Sequence, residues 1–128
     1  ENSAIISSKD EKKSISLIKT AEGRINFLRD HKIKEENANY IFEGLYTSVL
    51  EILHSIVTRD GYKVSNHICL GYYLRDKIKK EELFRIFDEL RYKRNSIMYY
   101  GKEMDFETAK YAIEKSEMLI KELTEIYK

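Results

Sequence analysis

The run Leu90-Arg91-Tyr92-Lys93-Arg94-Asn95-Ser96-Ile97-Met98-Tyr99-Tyr100-Gly101 brings together a guanidinium, an amide and a phenol, three groups able to act on a phosphate. Arg94 falls among Leu83, Phe87, Leu90, Ile97 and Met98, which recur every three or four residues and occupy an arc of roughly 100° on a helix. A guanidinium keeps its proton at any ordinary pH, and leaving it buried and unpaired costs on the order of 3 to 5 kcal/mol. Arg94 therefore requires a partner: a carboxylate of the same chain such as Glu43, a second copy of the chain, or a ligand phosphate. Its planar fork suits the last, because it donates paired hydrogen bonds to two oxygens. Asn95 can donate to a phosphate or orient a reacting group, but an amide does not relay protons. Metal-free cleavage of an RNA phosphodiester needs a base for the 2′-hydroxyl, an acid for the leaving oxygen and donors for the charge on phosphorus. Of the candidates for the proton steps, histidine is the one suited to neutral pH.

The elements that must position these groups read as helices. Ser8-Lys9-Asp10-Glu11 is a capping box, and Ile15, Ile18, Ala21, Ile25 and Leu28 mark one face of a helix reaching about His31. His31, in its last turn, complements the helix dipole. A second helix, Asn37 to Arg59, has apolar positions over nearly half its circumference, as expected of a central helix touching several neighbours. Glu43, Thr47, Glu51, His54 and Thr58 form its polar side, which makes His54 a surface residue. Asp60-Gly61 stops it, and Ser65 or Asn66 caps a shorter helix ending near Lys77, with Gly71 inside it for close approach of a neighbour. The fourth helix, about Lys80 to Tyr99, ends at Gly101; Asp105 caps a fifth over Phe106 to Tyr127. On the fourth helix Arg94 and Tyr99 lie roughly 140° apart, so they do not both face one core. Asn95 and Tyr99 share a flank with Asp88, Arg91 and Tyr92, either a self-association surface or a solvated face with an ordinary Asp88 contact to Arg91 or Tyr92.

Composition narrows the class. With no proline and only five glycines in 128 residues, the turn breakers of a sandwich or barrel are missing. The expected fold is all-α: an antiparallel up-and-down four-helix bundle with one extra short helix. A lead-in over 1–8 precedes a single domain over 9–128. Lys and Arg number 23 against 22 Asp and Glu, too even a balance for a protein that grips duplex DNA through many phosphates, so any nucleic acid contact must be local. No apolar run is long enough for a membrane span, and Glu1 to Glu11 is polar rather than signal-like. Cys69 alone can form no internal disulfide and reads as a packing residue. No His-Glu-x-x-His or cysteine pair suggests a metal, and no cofactor is expected. These features suit a cytoplasmic protein.

Arg94-Asn95-Ser96-Ile97-Met98-Tyr99, late in the penultimate long helix, resembles the signature of the HEPN family, and Tyr62-Lys63-Val64-Ser65-Asn66-His67 is similar to that family's linker. The resemblance runs from about Lys12 to Leu123. It implies a four-helix bundle that dimerises so that two motifs meet in a cleft. Family members include metal-independent ribonucleases of toxin-antitoxin and defence systems, non-catalytic RNA-binding or partner-binding modules, and bundles that serve small nucleotidyltransferases. By this resemblance Arg94 is the phosphate-binding arginine, Asn95 its polar neighbour, and Tyr99 stands where the family has histidine. A phenol titrates near 10 against about 6.5 for imidazole, making it a poor base at neutral pH. Reduced or lost cleavage with retained RNA or nucleotide binding is the first expectation. Cleavage through Tyr99 or a His67 reaching across a dimer is the second, and a module partnering a nucleotidyltransferase the third.

Overall fold

The computed structural model describes residues 4–128 and is predominantly helical, with a single two-stranded ladder. Helix α1 spans Glu11–Arg29, α2 Ala38–Arg59, α3 His67–Asp76, α4 Glu81–Tyr100 and α5 Phe106–Tyr127. The core is built around α2. Phe42, Leu45, Tyr46, Val49, Ile52, Leu53 and Ile56 are all essentially inaccessible, and α2 packs against α1, α5, α3 and α4. That is the physical reason for its wide apolar face.

Local chemistry sets the helix ends. Asp10, rather than Ser8, is the N-cap of α1, its carboxylate accepting from the Lys13 amide at 3.0 Å. Asn66 caps α3 through Cys69 at 3.0 Å, and Asp105 caps α5 through Thr108 at 2.8 Å. Gly101 closes α4 in the left-handed region at φ 61°. At Gly71 a Cβ would meet ring atoms of Phe84 and Phe87 at 3.3 Å, so glycine lets α3 and α4 approach closely.

Two features depart from the sequence reading. Part of the expected lead-in is structured: strand β1 (Ile5–Ile6) pairs antiparallel with β2 (Tyr62–Lys63), Ile5 opposite Lys63; the remainder of that lead-in over 1–3 lies outside the described residues. On α1, Ile15 is exposed and Ser14 is buried in its place. Ser14 and Ser55 clasp α1 to α2, each hydroxyl donating to the other residue's carbonyl at 2.8 Å. Two small hydroxyl residues thus occupy a close crossing without an unsatisfied polar atom.

Candidate functional site

The buried face of α4 stops at Leu90; none of the side chains from Arg91 to Tyr100 is buried. Arg94 is consequently half-buried rather than enclosed, and its need for a carboxylate is relaxed. Its guanidinium carbon lies 5.8 Å from the centroid of the Tyr46 ring, a cation–π distance. Among the described residues Arg94 forms no hydrogen bond or ion pair, with Glu43 or any other acid. Met98, expected on the apolar arc, is 52% exposed.

Beside this arm runs a groove of about 440 Å³ between the start of α3 and the last turns of α4, lined by Ser65, Asn66, His67 and Ile68 on one side and Arg91, Asn95 and Tyr99 on the other. The last three are spaced i, i+4, i+8 and stand along one helix flank. The shared flank expected for Arg91, Asn95 and Tyr99 is therefore present, and Arg94 is not part of the groove lining. The guanidinium in the groove is that of Arg91, which sequence reasoning noted only as a neighbour. It is held by Asp88 at 3.0 Å and lies 5.0 Å from the Tyr92 ring centroid. Tyr99 is 72% exposed, its phenol open to solvent.

His67 lines the same groove as Arg91, Asn95 and Tyr99 within the one chain. As the first residue of α3, it is placed by the Asn66 cap. Its Nδ1 lies 3.3 Å from the hydroxyl of Tyr46. Burial, followed by the proximity of Arg94, His54 and Arg91, lowers its pKa below the ordinary imidazole value, which favours the neutral form at pH 7. Burial raises the Tyr46 phenol well above its usual range, so Tyr46 keeps its proton.

The other histidines stand apart. His31 Nδ1 is 3.0 Å from the Phe27 carbonyl at the end of α1, the helix-end position expected of it. His54 is half-buried rather than a plain surface residue, and lines a cavity of about 250 Å³ with Lys13, Lys63 and Asp10. Its pKa is lowered by burial and then by Lys13. A wider groove of about 760 Å³ separates α1 from α5, but its Arg29 and Glu117 are paired at 2.6 Å and no histidine lines it. The smaller groove at α3 and α4 has the more useful chemistry. Among the described residues no three His, Cys, Asp or Glu side chains cluster to hold a metal ion, and no helix is long and apolar enough to cross a membrane.

Comparison of the chain with known protein families, curated proteins and solved structures finds no match. The chemical reading of the groove thus rests on its own residues. Arg91 and Asn95 supply donors, the neutral imidazole of His67 supplies a donor or an acceptor, and Tyr99 offers an accessible aromatic face. That set suits a phosphate carried on an unpaired nucleotide.

Proposed function

We propose that the chain is a HEPN-like module, an antiparallel four-helix bundle in which α3 is the extra short helix, that binds RNA or a nucleotide-bearing partner with little or no ribonuclease activity. It acts as a homodimer in a defence or toxin-antitoxin setting. The observation that carries this reading is the convergence of Arg91, Asn95, Tyr99 and His67 on one open groove. Arg94 stands behind it with no carboxylate partner among the described residues, adding positive potential without contributing to the lining. The near-neutral net charge fits a short local contact rather than a long electrostatic track. Incubation with labelled single-stranded RNA in EDTA tests it. Retention of intact RNA is expected, and rapid turnover that Arg94→Ala abolishes would refute the non-cleaving reading.

A second reading, an active metal-independent endoribonuclease, is favoured by the presence of neutral His67 on the same groove as Asn95 and Tyr99. An imidazole neutral at pH 7 can serve as a general base if the nitrogen facing the ligand has its lone pair free. In that case His67→Ala abolishes cleavage in EDTA, and unchanged cleavage removes His67 from the mechanism.

A further inference from the structure

Tyr46 lies in the core on α2, fully buried, its ring stacked on Phe87 at 5.9 Å and 10° between planes. Its hydroxyl reaches out of that core to His67 Nδ1 at 3.3 Å, and among the described residues this is its sole hydrogen bond. A phenol has one proton to donate. If His67 carried its proton on Nδ1 and gave it to Tyr46, the phenolic O–H would be left without an acceptor in a buried place, an arrangement that folded proteins avoid. The satisfied arrangement has Tyr46 donating and Nδ1 accepting. A neutral imidazole whose Nδ1 accepts has its proton on Nε2. With Nδ1 turned toward the core, Nε2 is the nitrogen left for the groove.

We infer that Tyr46 is a positioning residue that fixes His67 in the Nε2–H tautomer, so that the groove meets a phosphate oxygen with an imidazole N–H donor rather than with the lone pair of a base. The functional half of this rests on the proposed reading of the groove as a phosphate site; the tautomer itself does not. Its surroundings oppose protonation of His67: burial first, then Arg94 on α4, His54 on α2 and Arg91 on α4. Arg91, the amide nitrogen of Asn95 and the Nε2–H of His67 then offer donors to one groove, complementary to an anion. The same lining provides no ready base for a 2′-hydroxyl, which links retained binding to lost cleavage through one buried hydroxyl.

The test is long-range 1H–15N correlation spectroscopy of the uniformly labelled protein at pH 7.5 without ligand, with His67→Gln used to assign the ring. An unprotonated Nδ1 and a protonated Nε2 are expected; a protonated Nδ1 overturns the inference. Tyr46→Phe keeps the ring and its stacking but removes the donor. It should convert the single tautomer to a mixture and weaken single-stranded RNA binding about two- to fivefold, with the circular dichroism spectrum unchanged. An unaltered tautomer in Tyr46→Phe also overturns it. If Tyr46→Phe does not fold, the wild-type spectrum still decides. Failure of the wild-type protein to bind RNA, with the Nε2–H tautomer in place, counts against the proposed function and not against the role of Tyr46.

Discussion

Truncating Arg91 should weaken RNA binding more than truncating Arg94, although the sequence motif points to Arg94. Arg91 lines the groove with its side chain only 13% exposed, already held by Asp88 at 3.0 Å. A charge-assisted hydrogen bond to phosphate contributes roughly 1.5 to 3 kcal/mol. Against this stands the weakening of the Asp88 contact on binding, up to about 1 kcal/mol for a pair whose carboxylate is partly screened by solvent. The net loss for Arg91→Ala is roughly 0.5 to 2 kcal/mol, or about 2- to 30-fold in Kd. Asp88, left unneutralised at the groove edge, pushes in the same direction. Arg94→Ala removes a charge that does not line the groove; screening with a Debye length of about 8 to 10 Å holds its effect below roughly threefold. Fluorescence anisotropy with a labelled single-stranded RNA in EDTA, across a salt series, measures both. Arg91→Ala should also reduce the salt slope by about 0.7, the value for one phosphate contact on a single strand. Arg91→Lys restores charge without the fork and should recover only part of the loss. A larger loss for Arg94→Ala than for Arg91→Ala would refute the assignment of the groove guanidinium to Arg91.

Phe87→Ala removes a fully buried ring stacked on Tyr46, and a loss of about 3 to 5 kcal/mol in urea unfolding is expected; a loss below 1 kcal/mol would mean that this part of the core is not packed as described. Gly101 sits at φ 61° with open space where a side chain would stand, so Gly101→Ala should cost about 1 kcal/mol through backbone strain alone, and a neutral result would contradict the left-handed cap. His54 and His67 both titrate below their unfolded value of 6.5. The unfolded chain therefore takes up protons first as the pH falls, and stability should decline below about pH 6.5 until the folded-state values are reached. His54→Gln with His67→Gln should flatten thermal-melting curves over that range, and an unchanged decline would assign it to other groups.

Much of the fold was legible because the signals were local. The cap at Asp105, the stop at Gly101 and the bounds of the fifth helix follow from residue types within one turn, and the structure has them where the sequence put them. The β1–β2 ladder was not legible, since two residues a strand give no alternation and the pairing joins Ile5 to Lys63 across the whole of α1 and α2. The Ser14–Ser55 clasp is equally non-local. At the site, helical spacing correctly grouped Arg91, Asn95 and Tyr99 on one flank, but the apolar arc ran too far. Ile97 packs on the core only partly buried and Met98 is exposed, so periodicity placed Arg94 on a fully buried face that ends at Leu90. The Asn66 cap was readable; that it would deliver His67 to Arg91 and Asn95 depends on how α3 folds back on α4, a matter of packing rather than pattern.

The groove and the core also constrain one another through Tyr46. Its ring supports Phe87 on one side and lies within cation–π distance of Arg94, while its hydroxyl fixes His67. Placing histidine at Tyr99 would add an imidazole on an exposed turn, while His67 would still present Nε2–H. His67 and Arg91 would then supply hydrogen-bond donors to the phosphate, the new side chain would take the 2′-hydroxyl proton as base, and the leaving oxygen would take its proton from water. Tyr99→His is therefore expected to gain metal-independent cleavage of single-stranded RNA in EDTA, with a rate that rises through the new imidazole's titration. The further change His67→Ala should lower that rate without abolishing binding. If Tyr99→His binds RNA normally and cleaves none, the groove lacks the alignment that in-line attack requires, and its role is confined to recognition.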